Sequence, residues 1–346
     1  MMQVLNEVQS APMLTKPDIS DDTIIACLHE SFGLRISQAV FLPIGADVNS
    51  FVYRVTAVDG TPYFLKLRRG NFAEVAVAVP AYLHAQGIRR VMAPLATHQL
   101  WKQAHGFYWI LYPFFEGQNG FDVAMSQAQW IALGASMQAV HTAKLPDHLG
   151  ARVPREDFGP RWRSVVQAFD TEVEQRVYDD LIAASFAAFW QTKRDEILSI
   201  VDRAAELAQA LWQRAVDLVV CHADLHGANV LLGPDDALAI VDWDEVILAP
   251  KERDLMFVGA GIGGVWNKAE EEAWFYQGYG TTTIDRLTVA YYRYERIVAD
   301  IAAYAEQIFG LQGSVEDREE GLRQLMGQFL PNQVVEIAHT SYLEAV

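Results

Sequence analysis

Apolar residues repeat with two different periods along this chain, and the change between them near residue 113 sets what it can fold into. Before the change, SQAVFLPIG, SFVYRVTAV, TPYFLKLRR and FYWILYPFFEG follow the pattern of half-buried strands, with an Asp59-Gly60 turn between the second and third. VMAPLATH and QLWKQAHG continue the strand pattern. Two helical segments interrupt: ISDDTIIACLHESFG, with Asp21 or Asp22 as its cap, and AEVAVAVPAYLHAQG, where Pro80 either kinks the helix or marks its early break. From residue 126 the period becomes helical, first in SQAQWIALGASMQAVHTA behind a Ser cap, then through an Ala-rich stretch over 161–213, and again from 268 onward. Only DLVVCH, NVLLG and ALAIVDW return to β-type runs. A small antiparallel-sheet unit followed by a larger, mainly helical one is an α+β, two-lobed arrangement. The expected parts are a tail over 1–18, a first lobe over 19–113 and a second over 114–346, with the joint at about 111–118.

Charge follows the same division. Residues 1–113 carry 9 basic and 8 acidic side chains, whereas 114–346 carry 18 and 36, and the whole chain of 346 residues has a net charge of −17. An acidic balance excludes nucleic acid as the partner, because phosphate binding needs a concentrated basic face. The negative field of the second lobe favours a cationic small molecule. No apolar run reaches the ~18 residues of a membrane span, and no basic region precedes an apolar one at the start. Two cysteines, Cys27 and Cys221, form neither a disulfide framework nor a metal set, so a reduced cytoplasm is the expected location.

The chemistry is concentrated in HADLHGANVLL at 222–232 and IVDWDE at 240–245. Asp224 and Asn229 stand five apart in a loop between short strands, and Asp242 ends the next strand thirteen residues after Asn229. Phosphoryl transfer needs such a set. One carboxylate takes the proton of the attacking hydroxyl, while an amide oxygen and a second carboxylate hold Mg²⁺ on the phosphates. Lys66, inside the strand YFLKLRR, occupies the place of a phosphate-binding lysine, and Glu74 at the start of the next helix is its candidate partner. The hairpin IGADVNSFVYRV lacks a full glycine signature, but the turn formers Asp47, Asn49 and Ser50 are placed to line phosphates with backbone N–H groups. His222 reads as a brace of the catalytic loop and Asp254 as its tether.

Two patterns are decoys. GAGIGG at 259–264 spells a dinucleotide fingerprint, yet no strand precedes it and no βαβ unit surrounds it. Cys221, His222 and His226 lack a second cluster to complete a zinc site.

With these motifs in hand, the chain resembles the aminoglycoside phosphotransferases, a family with the protein-kinase-like fold. The likeness covers about residues 19–340 and rests on FLPIGADVNSFVYRV, YFLKL, YPFFEGQNGF, CHADLHGANVLL, FYQGYG and YYRYERIVADIAAY. The segment APKERDLMFVGAGIGGVWNK points within the family to the branch that phosphorylates spectinomycin. The resemblance implies ATP (or GTP) and Mg²⁺ as cofactors, Asp224 as the catalytic residue, Asn229 and Asp242 as metal ligands, and Lys66 on the phosphates. It implies a hinge in which Pro113 C=O and Phe115 N–H meet the adenine edge. It also implies a cationic aminocyclitol as substrate, for which Asp122, Asp244, Glu245, Trp266, Tyr292 and Glu295 are candidate contacts by location and chemistry. A kinase of choline, ethanolamine, homoserine or a thiosugar is the alternative, and a catalytically silent kinase-like module a remoter one.

Overall fold

The computed structural model describes residues 15–45, 47, 49–95 and 99–345. The expected tail over 1–18 therefore lies largely outside the described residues. The chain forms two compact units. The first comprises residues up to Phe72 with Pro94–Phe114 and Leu311–Gly321, and the second Ala73–Ala93, Phe115–Gly310 and the remainder from Leu322.

In the first unit, helix α1 (Asp21–Phe32) precedes β1 (Ile36–Leu42), β2 (Ser50–Ala57), β3 (Pro62–Arg68), β4 (Lys102–Ala104) and β5 (Phe107–Pro113). The strands form one antiparallel sheet in the order β1-β2-β3-β5-β4. Alternation puts Phe51, Tyr53 and Val55, Leu65 and Leu67, and Trp109 and Leu111 into one core with Ile24, Leu28 and Phe32 of α1. The residues between them form a second row, where Val52, Lys66 and Ile110 are paired across three strands. The cap of α1 is Ser20, whose hydroxyl accepts the Thr23 N–H at 3.1 Å, rather than Asp21 or Asp22. Those two carboxylates instead fill the first turn, where the helix dipole favours them. Over its described residues, 91–95, the expected strand VMAPLATH does not form: Val91 makes a lone parallel bridge to Ile240, and Pro94 has no N–H to extend a ladder.

The second unit contains α2 (Val75–Ala85), β6 (Gln118–Asn119), α3 (Gln127–Thr142), α4 (Asp147–Gly150), α5 (Arg161–Gln175) and α6 (Leu181–Trp212). It continues with β7 (Val219–Cys221), β8 (Val230–Leu232), β9 (Leu238–Ile240), β10 (Ile247–Ala249), α7 (Glu252–Leu255), α8 (Ala269–Tyr279) and α9 (Arg286–Phe309); α10 (Val315–Gln328) is divided between the units after Gly321, and α11 (Val334–Ala345) closes the second. Helix α2 runs through Pro80 without ending. It falls in this unit rather than in the sheet unit expected over 19–113, because Val75, Val79 and Leu83 join the core of Trp130, Leu133 and Met137. The 161–213 stretch is two helices, the second started afresh by the Asp180 side chain accepting the Ala183 N–H at 2.9 Å. Helix α9 is wrapped by α5, α6, α7 and α11.

Helices α3 and α8 approach closely at two glycines. A Cβ on Gly134 would lie 2.0 Å from the Phe275 carbonyl oxygen, and one on Gly278 would lie 1.9 Å from that of Ile131. Main chain therefore meets main chain, and no flexible side chain can yield. Gly278→Ala is expected to destabilise the fold by about 1–3 kcal/mol through this clash, read as a lower urea midpoint with an unchanged denaturant slope.

Candidate active site

Strand β7 delivers the chain into a loop whose first residues are held from behind. Asp254 is fully buried and accepts the His222 N–H at 2.9 Å on Oδ2 and the Ala223 N–H at 2.7 Å on Oδ1. His141 of α3 completes the set, donating from Nε2 to Asp254 Oδ2 at 2.9 Å and accepting the Tyr279 hydroxyl at Nδ1, 2.7 Å away. Burial pushes the Asp254 pKa up, but His141 first, then the His222 ring and the Ala223 N–H, outweigh it and hold the carboxyl below its ordinary value. The expectation that Asp254 tethers this loop is met. His141 carries no local sequence signal, since its partners are 113 and 138 residues away.

The clamp secures a turn with Ala223 at φ +73°, an unusual value for a residue with a Cβ. His222 braces the far side, its Nε2 donating to the Val241 carbonyl at 2.8 Å and its Nδ1 accepting the Asp224 N–H at 3.2 Å. A single turn of 3₁₀ helix, Gly227–Asn229, then brings Asn229 back to Asp224. Asn229 Nδ2 donates to the Asp224 carbonyl at 2.8 Å and to Asp224 Oδ2 at 3.2 Å. Its amide nitrogen is thus committed, and Oδ1 points the other way. The Val241 N–H donates to the Asn229 carbonyl at 3.0 Å, which ties the strand end carrying Asp242 to the same loop. Asp242 is exposed and sits at φ +61°. Asp224, Asn229 and the Asp242 segment therefore converge, as the spacing predicts.

Arg296 of α9 is not among the candidates that the motifs single out. Its Nη1 forms an ion pair with Asp224 Oδ1, while His226 Nε2 lies 3.3 Å from Oδ2. Burial pushes the Asp224 pKa up, but Arg296 and then His226 more than reverse this, and the carboxyl is held well below the usual carboxylate range. The only sequence hint is the i,i+4 spacing of Arg296 and Asp300, which meet at 3.0 Å.

The remaining candidates divide. Lys66 is 8% exposed in the middle of β3. Asp47 organises its turn by accepting the Asn49 N–H at 2.9 Å and the Ser50 hydroxyl at 3.2 Å. Glu74 departs from its expected part as the partner of Lys66: its carboxylate is taken by Arg152. Pro113 ends β5, and the boundary of the two units falls between Phe114 and Phe115. Asp122 is exposed beside Asn119, Asp244 is half-buried, and Glu245 lies 3.5 Å from Arg253. Trp266 is buried edge-on against Trp130, at φ +57°. Tyr292 and Glu295 differ from their expected part as substrate contacts, because α9 turns both into the helical core. Tyr292 lies beneath the Arg253 guanidinium, and Glu295 is spent on Arg163 at 2.5 Å. Burial drives the Glu295 pKa up to about 7 against the pull of Arg163.

The decoys are explained as well. GAGIGG is a loop and a short turn between α7 and α8, with no strand before it. His141, Cys221 and Asp254 lie close enough to suggest a metal. Burial and the nearby Asp254 raise the Cys221 pKa, which keeps the thiol protonated, and its S–H points to the Ala249 and Pro250 carbonyls. Asp254 already accepts three hydrogen bonds, so hydrogen bonding accounts for the cluster.

Residues 40–290 match the model of the APH phosphotransferase enzyme family, and the chain belongs to that family. It is an ATP-dependent small-molecule phosphotransferase with an alcohol group as acceptor. It is similar to spectinomycin phosphotransferase APH(9)-Ia solved with ADP and spectinomycin, at 36% identity over 94% of this chain and 99% of that one, with a TM-score of 0.87. The AMP-bound complex of the same phosphotransferase gives 35% identity over 92% and 98%, with a TM-score of 0.81. The macrolide 2'-phosphotransferase MphH from Brachybacterium faecium, at 18% identity over 88% and 97% and a TM-score of 0.53, shares the fold. No curated protein sequence matches the chain.

Proposed function

We propose that this enzyme transfers the γ-phosphoryl group of ATP to a hydroxyl of spectinomycin or a closely related cationic aminocyclitol, and that the modification confers resistance to the drug. The near full-length similarity to a phosphotransferase solved with ADP and spectinomycin carries this reading. In the step, the acceptor oxygen forms a bond to the γ-phosphorus, the bond from that phosphorus to the β,γ-bridging oxygen breaks, and ADP leaves. Asp224 orients the acceptor hydroxyl and takes its proton late, which suits a carboxylate held strongly ionised by Arg296. Lys66 is assigned the α- and β-phosphates, the turn of Asp47, Asn49 and Ser50 the phosphate edge, and Pro113 and Phe115 the adenine edge.

The donor set fits Mg²⁺. Asn229 Oδ1, freed by the commitment of Nδ2 to Asp224, and the exposed Asp242 carboxylate are hard oxygen donors of the kind that ion requires. When bound, the ion neutralises charge on the phosphates. Asp122, Asp244 and Glu245 remain the carboxylates assigned to the substrate's ammonium groups. Action in the cytoplasm belongs to the same proposal. Among the described residues no helix is long and apolar enough to cross a membrane.

The test is ADP release with ATP and Mg²⁺ against spectinomycin, kanamycin-type and hygromycin-type drugs, choline and a thiosugar. Turnover dependent on spectinomycin is the expected result. Turnover with choline alone would move the enzyme to the metabolic kinases, and nucleotide binding without any transfer would make it a silent module.

A further inference from the structure

We infer that Arg296 is a positioning residue for phosphoryl transfer, the middle of a relay that runs from the C-terminal helices to the catalytic carboxylate. The inference rests on the assignment of Asp224 as the proton acceptor. Asp254 grips the backbone of residues 222 and 223, but that grip leaves the side-chain torsions of Asp224 unset. Asn229 and His226, which meet Oδ2, belong to the same short loop as Asp224 and move with it. Arg296 reaches Oδ1 from a different element, a helix wrapped by four others.

Arg296 is itself held. Its Nε donates to Asp300 Oδ1 at 3.0 Å, and the other oxygen of Asp300 accepts Gln328 Nε2 at 2.8 Å from the end of α10. A guanidinium fixed at Nε has its plane and both Nη groups fixed, because the fork is rigid. The direction of Asp224 Oδ1 is therefore referred through Asp300 and Gln328 to the helical frame. Near-attack geometry depends on such placement, and a displacement of about 1 Å costs roughly 10²-fold in rate.

The experiment compares wild type, Arg296→Met, Arg296→Lys and Asp300→Asn by steady-state kinetics and by crystal structures without substrate. Arg296→Met is expected to lower kcat roughly 10²-fold with KM for ATP and acceptor little changed. Arg296→Lys should recover part of the loss, since charge returns without the fork. Asp300→Asn should lie between wild type and Arg296→Met, because the guanidinium stays but loses its charged anchor. The Arg296→Met crystal structure should show the Asp224 carboxylate turned out of its present orientation. A wild-type kcat in Arg296→Met, or an unmoved Asp224 in its crystal structure, would overturn the proposal. A purely structural role would instead lower the thermal midpoint and the active fraction in all variants alike, with Arg296→Lys no better than Arg296→Met. Failure of wild type to transfer phosphate would defeat the proposed function, and the crystallographic comparison would still decide whether Arg296 positions Asp224.

Discussion

Asp224→Asn is expected to reduce kcat by about 10²–10⁴-fold, the range over which a positioned proton acceptor contributes. Asparagine keeps the shape of the side chain and its contact with the Asn229 amide, so the loop keeps its course. The substitution removes the negative charge and the lone pair that takes the hydroxyl proton. It also leaves Arg296 without the carboxylate it pairs with, although Asp300 still holds Nε. Nucleotide affinity should be nearly unchanged, because no assigned phosphate or adenine contact involves Asp224. Steady-state turnover together with calorimetric titration of a non-hydrolysable ATP analogue separates the two effects. A parallel collapse of nucleotide affinity would mean that Asp224 serves binding rather than transfer.

The largest loss of stability is expected at Asp254. Replacing it with alanine strands the His222 and Ala223 N–H groups and His141 Nε2 in a fully buried site. Breaking a buried, hydrogen-bonded charge constellation from one side costs about 3–5 kcal/mol. Urea unfolding followed by tryptophan fluorescence measures it, and a loss below about 1 kcal/mol, the scale of a surface change, would refute the clamp. The same carboxylate sets a pH dependence. Its pKa is lowered in the folded chain relative to the unfolded one, so its contribution is complete above the ordinary carboxylate range. It is lost as pH falls through the folded value. In Asp254→Ala the corresponding part of the acid destabilisation should be missing.

Most of the fold is legible in the sequence because both periods are strong. Phe51, Tyr53 and Val55 alternate cleanly, and the Ser126 cap of α3 is present with Gln129 closing a capping box. What is not legible depends on contacts remote in the chain. Helix α2 reads as part of the sheet unit because it is embedded between strands, yet its apolar face packs with Trp130 and Leu133. The strand pattern of VMAPLATH gives, over its described residues 91–95, only single links: the Val91–Ile240 bridge, and the Leu95 N–H donating to the Leu111 carbonyl at 2.7 Å just after Pro94, which has no N–H to give.

The site divides in the same way. Asp224, Asn229 and Asp242 are recoverable because their roles fix their spacing within one loop and the strand after it. The chemistry of Tyr292 and Glu295 suits a cation, which is why both read as substrate contacts. Chemistry alone is a poor guide against helical periodicity: Glu295 turns inward to Arg163, and one residue further along Arg296 reaches the catalytic loop instead. The apolar stripe of Tyr291, Tyr294, Val298, Ile301 and Ala305 marks the inward side of α9, and Glu295, one turn from Tyr291 and Val298, lies on it.

Because Gly134 and Gly278 allow α3 and α8 to touch backbone to backbone, the two helices form a single strut. One helix ends near His141 and the other at Tyr279, the two outer members of the chain of hydrogen bonds behind the loop. Any lineage that enlarges either glycine must re-space the strut, and doing so shifts both residues at once. Sequence drift at these two positions is thereby yoked to the chemistry, though neither glycine touches a reacting atom.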